Sequence, residues 1–118
     1  MILVDTSVWI DHLRGTEKGL IQLLADGEVL THPLVVEELA CGSIAKREEF
    51  LELLDALPIA PVAAHYEVLD LIANQKLFAT GLGAVDAHLI ACARLAGVLL
   101  WSKDKKLSHA AAKTGIGR

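Results

Sequence analysis

The sequence predicts an α/β fold in which a central parallel sheet is covered by helices on both faces, a three-layer α/β/α arrangement. Short apolar segments alternate along the chain with segments of helical periodicity. The apolar segments are continuously hydrophobic, as is typical of strands that are buried on both faces. A length of 118 residues suits one domain, which we expect to span residues 1–118.

The three clearest strands are predicted from short apolar runs rich in Val, Ile and Leu. They lie at residues 2–4, 28–31 and 98–101. A further extended piece is expected at residues 58–62, where two prolines restrict it to a sheet edge or a strand end.

The segments between the strands have helical spacing and recognisable ends. Thr6 or Ser7 is expected to cap a helix over residues 8–14, and Pro33 suits the first turn of a helix that ends near residue 41. The other predicted helices are 18–25, 44–57, 63–78, 84–96 and 105–114. The last residues, 115–118, are expected to be loose.

The composition narrows the class of protein. Hydrophobic residues make up 53% of the chain, yet no apolar run reaches the ~18 residues of a membrane helix, and the start lacks the basic segment of a secretion signal. We therefore expect a cytoplasmic protein in which Cys41 and Cys92 are buried free thiols. The net charge of −4 argues against simple binding of nucleic acid by a basic surface.

Three aspartates are candidate site residues because of their positions after strands or their apolar surroundings. Asp5 directly follows the first strand and Asp104 follows the third, so both are expected at the same edge of a parallel sheet. Asp86 lies in an almost wholly apolar helix, where an ionised carboxylate is costly unless it is paired or binds a metal. The alternatives are loop or capping roles for Asp5 and Asp104 and a solvated helix-terminal role for Asp86.

A fourth acid comes from the adjacent pair Glu37 and Glu38, of which only one can face inward because helix neighbours diverge by ~100°. Crowded carboxylates repel one another unless a cation lies among them. Oxygen ligands favour Mg²⁺ or Mn²⁺ over zinc, and the histidines are scattered without a pair at i, i+4.

Four blocks of the chain, in order, resemble PIN domains, and among them the VapC-type toxins of toxin–antitoxin pairs. LVDTSVWIDHLRG resembles the opening strand, first acid and first helix of that family, and VVEELACG resembles its second-acid helix. GAVDAHLIACARLAG and the following VLLWSKDKKL resemble the third-acid helix, the next strand and the fourth-acid turn. The similarity runs nearly end to end.

The resemblance implies one acidic, metal-binding and catalytic site made of Asp5, Glu38, Asp86 and Asp104. Glu38 is preferred to Glu37 because the family pattern is an acid followed by Leu, some residues before Gly. We expect Asp5 and Asp86 to bind the metal directly, while Glu38 and Asp104 act through water or position the attacking hydroxide. The predicted substrate-binding residues are Thr6, Ser102, Lys103 and Arg14, and Lys105 and Lys106 are further candidates for holding phosphates.

The implied function is that of an endoribonuclease that depends on Mg²⁺ or Mn²⁺ and hydrolyses RNA phosphodiester bonds. The implied partners are an RNA substrate, a VapB-like antitoxin and a second copy of the chain in a homodimer, with no membrane. Exposed parts of Trp9, Ile10 and Leu13 are candidates for the antitoxin surface. A catalytically inactive PIN scaffold, a phosphoacceptor fold and a DNA substrate are the alternatives.

Overall fold

Three short parallel strands form the centre of the computed structural model, which describes all 118 residues. The strands are β1 (Ile2–Val4), β2 (Val29–Leu30) and β3 (Leu99–Trp101), in the order β2-β1-β3. Ile2 pairs with Val29 on one side and with Leu99 on the other. Because β1 is the central strand, the residue that follows it lies at the middle of the sheet edge where the parallel strands end.

Seven helices flank this sheet, and the predicted α/β fold is confirmed. They are α1 (Thr6–Arg14), α2 (Lys18–Ala25), α3 (Pro33–Ala40), α4 (Arg47–Asp55), α5 (His65–Asn74), α6 (Ala84–Ala96) and α7 (Lys105–Lys113). Isolated parallel bridges between Thr31 and Ile59 and between Leu100 and Gly117 extend the two edges of the sheet. The first of these lies in the extended piece predicted at residues 58–62.

Several helix boundaries differ from the predicted ones for local reasons. α1 begins at Thr6, because the side chain of Asp5, rather than that of Thr6 or Ser7, caps its N-terminus. α4 begins only after Lys46, whose backbone is left-handed with φ of 52°. α5 ends at Asn74, and the left-handed backbone of Lys76 and Ala79 prevents a helix from continuing to residue 78.

The C-terminal residues are ordered, which corrects the expectation of a loose end. The amide of Leu100 donates to the carbonyl of Ile116 at 2.8 Å, and the amide of Arg118 donates to the carbonyl of Leu100 at 3.1 Å. The Arg118 guanidinium also lies 4.4 Å from the centre of the Trp101 ring. The tail is held because the open edge of β3 presents backbone donors and acceptors that need partners.

Two further expectations about burial are wrong. Trp9 is only 1% exposed and packs edge-on against Phe50, so it belongs to the core rather than to a partner surface. Cys41 is exposed where it ends α3, whereas Cys92 is buried. No helix of the structure is both long and apolar enough to cross a membrane.

Candidate functional site

Asp5 leaves the middle of the sheet at the C-terminal end of β1 and is 6% exposed. Its backbone amide donates to the carbonyl of Trp101 at 2.9 Å, which joins the ends of β1 and β3. Its Oδ2 atom accepts from the Ser7 hydroxyl at 2.7 Å, from the Ser102 hydroxyl at 2.9 Å and from the Ser7 amide at 3.3 Å. The carboxylate is therefore held in one orientation by the first turn of α1 and by the loop after β3.

Glu38 reaches the same region from α3. Its Oε1 atom accepts from the hydroxyl of Thr6 at 2.8 Å, and Thr6 is 9% exposed. The neighbouring Glu37 lies beside a different depression, next to Thr31 and Pro33. Of the two glutamates, Glu38 is the one that the structure brings to the end of β1.

Asp86 stands in the first turn of α6. Its Oδ2 atom accepts from the backbone amide of Gly83 at 3.3 Å, so the side chain satisfies one of the free amides at the start of the helix. Gly83 has an extended backbone conformation at this position, and the residues before it form the loop that leads to Asp86.

Asp104 caps the N-terminus of α7, just beyond β3. Its Oδ1 atom accepts from the amide of Leu107 at 3.0 Å, and its own amide donates to the hydroxyl of Ser102 at 3.0 Å. Since Ser102 also donates to Asp5, its hydroxyl connects the two acids that follow β1 and β3.

The four acids share one feature: each has one carboxylate oxygen anchored to the protein and one that makes no hydrogen bond within it. The anchored atoms are Asp5 Oδ2, Glu38 Oε1, Asp86 Oδ2 and Asp104 Oδ1. Anchoring one oxygen fixes the direction of the other, which stays available to an external partner. This is an arrangement suited to binding a cation or an activated water.

The electrostatic environment of Asp86 reflects the same gathering of charge. Burial raises the pKa of its carboxyl above the usual range, and the negative charges of Asp5, Asp104 and Glu38 raise that pKa further, against the lowering effect of the Gly83 amide. The other three carboxylates are therefore close enough to Asp86 to act on it.

The cluster is not a ligand cage as it stands, because no three His, Cys, Asp or Glu side chains lie close enough together to hold a metal ion. Its chemistry nevertheless fits a hard divalent cation. The available donors are carboxylate oxygens, which Mg²⁺ and Mn²⁺ prefer, and none of the four acids is paired with a lysine or arginine. A cation would supply the missing positive charge.

The remaining predicted site residues lie nearby, but they are engaged in different ways. The hydroxyls of Thr6 and Ser102 are directed at Glu38 and Asp5, so they orient the acids. The ammonium group of Lys103 forms ion pairs with Asp11, at 3.3 Å, and with Glu17, which leaves it poorly placed to bind phosphate. Arg14 is exposed and lies in a groove beside Glu38.

Ser7 is a site residue that the sequence reasoning treated only as a possible helix cap. Its hydroxyl donates to Asp5 and accepts from the backbone amide of Lys103 at 2.9 Å, so it connects the α1 turn to the loop after β3. The Asp-x-Ser spacing at Asp5 and Ser7 is the local signal for such a turn, since a side chain commonly bonds to the residue two positions on.

A groove of about 350 Å³ runs beside Glu38, between α1 and the segment that joins α3 to α4. Its apolar walls include Ile10, Leu13, Leu39 and Ile44, and Glu38 forms part of its lining. Ile10 and Leu13 are 36% and 43% exposed, which agrees with the expectation that this side of α1 presents apolar surface.

Comparisons with known proteins are consistent with this geometry. The family model described as PIN domain matches residues 2–113. The chain is 51% identical to proteins named Ribonuclease VapC32 from two strains of Mycobacterium tuberculosis, CDC 1551 / Oshkosh and H37Rv, over 98% of this chain and 94% of each relative. It is also similar to the crystal structure of PAE2754 from Pyrobaculum aerophilum, with a TM-score of 0.70 and 18% identity over 99% of this chain and 87% of that one.

Proposed function

The chain belongs to the PIN-domain family, among the VapC-type ribonucleases, and from that premise we propose that it is an endoribonuclease toxin whose site is formed by Asp5, Glu38, Asp86 and Asp104. The observation that carries the proposal is the set of four acids, of which Asp5 and Asp104 follow β1 and β3 while Glu38 and Asp86 come from α3 and α6. Each has one carboxylate oxygen that makes no hydrogen bond within the protein. VapC-type PIN ribonucleases depend as a family on divalent metal ions, and for this chain we propose Mg²⁺ or Mn²⁺.

Hydrolysis of a phosphodiester needs a nucleophilic water and relief of negative charge on the phosphate. A bound divalent ion supplies both, by acidifying water and by neutralising phosphate oxygens. In our proposal Asp5 and Asp86 would hold the ion, while Glu38 and Asp104 would bind it through water or position the attacking hydroxide.

The protein's contribution is to keep the acids in place before substrate arrives. Thr6 orients Glu38, and Ser7 and Ser102 orient Asp5. The N-termini of α1, α6 and α7 all begin beside site acids. Their aligned amides add partial positive charge that favours both carboxylates and a phosphate.

The test is cleavage of a fluorescently labelled single-stranded RNA by the chelated protein, followed by addition of Mg²⁺ or Mn²⁺. We expect no cleavage in EDTA and recovery with either ion. Undiminished cleavage after extensive chelation would overturn the metal mechanism. Binding of RNA without cleavage under any condition would instead indicate the inactive scaffold.

We further propose that the groove beside Glu38 receives a segment of a VapB-like antitoxin. Its apolar walls suit the apolar face of a helix, and Glu38 in its lining offers a carboxylate with which a basic side chain, best an arginine, can pair. A co-encoded antitoxin should inhibit cleavage. Leu13→Glu should weaken that inhibition, whereas Leu53→Glu, an exposed leucine on α4, should not. Equal inhibition of both variants would contradict this site.

We also propose a homodimer. Val62, Tyr66 and Leu69, before and within α5, are between 52% and 67% exposed, and Tyr66 and Leu69 share one helix face by their spacing. A two-fold contact is the commonest arrangement for such a surface. Light scattering over a dilution series should give a dimer for the wild type and a monomer for Tyr66→Glu. A wild-type monomer at micromolar concentration would rule the homodimer out.

A further inference from the structure

A basic pocket lies next to the acidic site and is not part of it. Its lining includes Lys105, Lys106, His109 and Lys113 from α7, together with Leu77 and Thr80 from the loop before α6. We call these six residues the basic pocket. Its volume is about 270 Å³, and no carboxylate lines it.

The positive charges of the pocket are not used by the fold. The ion pairs of the structure involve only the N-terminus and Lys103, so none of the three lysines of the pocket is neutralised by an acid. The single hydrogen bond made by their ammonium groups is a long one, 3.5 Å from Lys113 to the carbonyl of Lys76. In a chain whose net charge is −4, this is a local concentration of unpaired cations.

The placement of two of these cations works against the stability of α7, whereas Lys113 lies in the last turn, where the helix dipole favours positive charge. Lys105 and Lys106 stand in the first turn, where the helix dipole disfavours positive charge. Lys105, His109 and Lys113 follow one another at four-residue intervals, so they line one face of the helix. The three lysines of the pocket are exposed, so their positive charges are available to an external anion.

The pocket adjoins both loops that carry the neighbouring acids. Lys105 directly follows Asp104, which caps the same helix. The ammonium group of Lys106 lies against Gly81, since a Cβ atom on that glycine would be 2.8 Å from it. Two residues further on, Gly83 donates to Asp86. An RNA strand at the acids therefore passes close to the pocket.

We propose that the basic pocket is a phosphate subsite that binds the RNA backbone at a nucleotide next to, but not at, the bond that is cut. This inference rests on the proposed function. The basic pocket is the surface that attracts RNA, a polyanion, to a protein of negative net charge. Backbone phosphate is recognised by charge and without regard to base sequence, so the pocket contributes affinity and register rather than specificity.

The test is the salt dependence of RNA binding, measured by fluorescence anisotropy with a single-stranded RNA in EDTA. The double variant Lys106→Gln/Lys113→Gln is compared with Lys18→Gln/Lys46→Gln. The control removes the same charge from two exposed lysines that do not line the pocket. Glutamine has nearly the helix propensity of lysine, and loss of Lys106 from the first turn relieves the dipole, so thermal melts should show both variants folded.

The logarithm of the RNA association constant falls linearly with the logarithm of the salt concentration. For a single strand, each phosphate contact adds about 0.7 to the magnitude of that slope. The pocket variant should lower that slope by about 1.4 and weaken binding roughly tenfold at about 0.1 M salt. The control variant should retain the wild-type slope.

Two results would overturn the subsite: a wild-type slope in the pocket variant, or an equal loss in the control. Binding of inorganic phosphate by the wild type, with RNA binding unchanged in the pocket variant, would assign a free-ion site instead and would also overturn it. Failure of the proposed function is a different result, namely a wild-type protein that neither binds nor cuts RNA with Mg²⁺ present.

Discussion

At the scale of single residues, the site depends on short side chains that hold longer acidic ones. Thr6, Ser7 and Ser102 each donate a hydroxyl hydrogen bond to Glu38 or Asp5. Hydrogen bonds to charged acceptors are the stronger class, each contributing about 1.5–3 kcal/mol. The hydroxyls therefore reduce the freedom of the acids without neutralising them, which leaves their charge for a cation or a substrate.

Replacing an acid by its amide should separate catalysis from folding. Asp86→Asn keeps the volume and the hydrogen bond to Gly83, but it removes a charge that the other three acids disfavour. We expect RNA cleavage to fall by about a hundredfold or more, since loss of a residue that supports a metal site already costs 10–100-fold. The melting temperature of the metal-free protein should stay the same or rise.

The matched control for that change is Glu37→Gln, which removes the same charge from α3 at a position away from the acids. Initial rates and melting curves for both variants give the comparison. An active Asp86→Asn variant, or a Glu37→Gln variant as damaged as Glu38→Gln, would contradict the assignment of the site.

At the scale of secondary-structure elements, several helices begin at a residue whose side chain caps the helix N-terminus. Asp5 and Asp104 cap α1 and α7 through their carboxylates, and His32 caps α3 through its ring. His32 is fully buried, its Nδ1 atom accepts from the amide of Leu34 at 3.0 Å, and its Nε2 atom lies 3.2 Å from the sulfur of Cys92. The cap therefore requires the neutral ring with its proton on Nε2.

Stability should fall in mild acid because of this histidine. Burial lowers the pKa of His32 below its ordinary value of 6.5, and His88 lowers that pKa further, while Glu37 opposes the shift. The unfolded chain therefore binds the proton first as the pH falls. The contribution of His32 to stability is complete above pH 6.5 and is lost toward the lowered pKa, by at most about 1.4 kcal/mol per pH unit.

Urea unfolding between pH 7.5 and 5 measures the slope of the free energy of unfolding against pH. His32→Asn keeps a capping side chain that does not titrate, so it should reduce the pH dependence even though the smaller residue lowers stability overall. His65→Asn alters an exposed histidine and should leave the slope unchanged. Equal slopes in the wild type and in His32→Asn would refute the role of the buried ring.

The C-terminal edge of the sheet gives a second prediction at this scale. A Cβ atom on Gly117 would lie 2.8 Å from the backbone nitrogen of Ala112 and 2.9 Å from its Cα atom. Because backbone cannot move aside cheaply, Gly117→Ala should cost about 1–3 kcal/mol. Gly15→Ala, at an open position with extended backbone, should change stability by no more than about 0.5 kcal/mol. Denaturant melts of the two variants test the difference, and equal stabilities would mean that the tail is not packed on α7.

At the scale of the whole molecule, charge is distributed unevenly. Asp5 and Asp104 lie at the ends of β1 and β3, and α3 and α6 contribute Glu38 and Asp86. The unpaired lysines of the basic pocket lie on α7, in a chain of net charge −4. In our proposal a bound cation balances the negative charge of the four acids, and the RNA backbone balances the positive charge of the basic pocket. The apo protein is then destabilised by its own site, and binding should stabilise it.

Magnesium should therefore raise the melting temperature of the wild type. By mass action, an ion at a hundred times its dissociation constant adds about 2.7 kcal/mol, which corresponds to a rise of about ten degrees for a domain of this size. Asp86→Asn should lose most of that rise. Sodium chloride at equal ionic strength provides the control for screening. A wild-type melting curve unaffected by millimolar Mg²⁺ would count against the metal site.

Much of the architecture follows from the sequence because its causes are local. Apolar β-branched runs predict β1 and β3, helical spacing with Pro33 and the terminal glycines predicts most helices, and continuous hydrophobicity predicts parallel pairing. The positions of Asp5 and Asp104 after two strands likewise follow from the rule that parallel strands end at one edge. Those inferences need only neighbouring residues and one general property of sheets.

Only the tertiary structure decides which atoms meet across long separations. No local sequence pattern predicts that Thr6 donates a hydrogen bond to Glu38 or that Trp9 is buried. The same is true of the ion pairs that Lys103 forms with Asp11 and Glu17. The order of the C-terminal tail likewise depends on the free edge of β3. The physical reason is that periodicity specifies which face of an element is buried, whereas contacts depend on how the elements pack, and packing is a property of the whole chain.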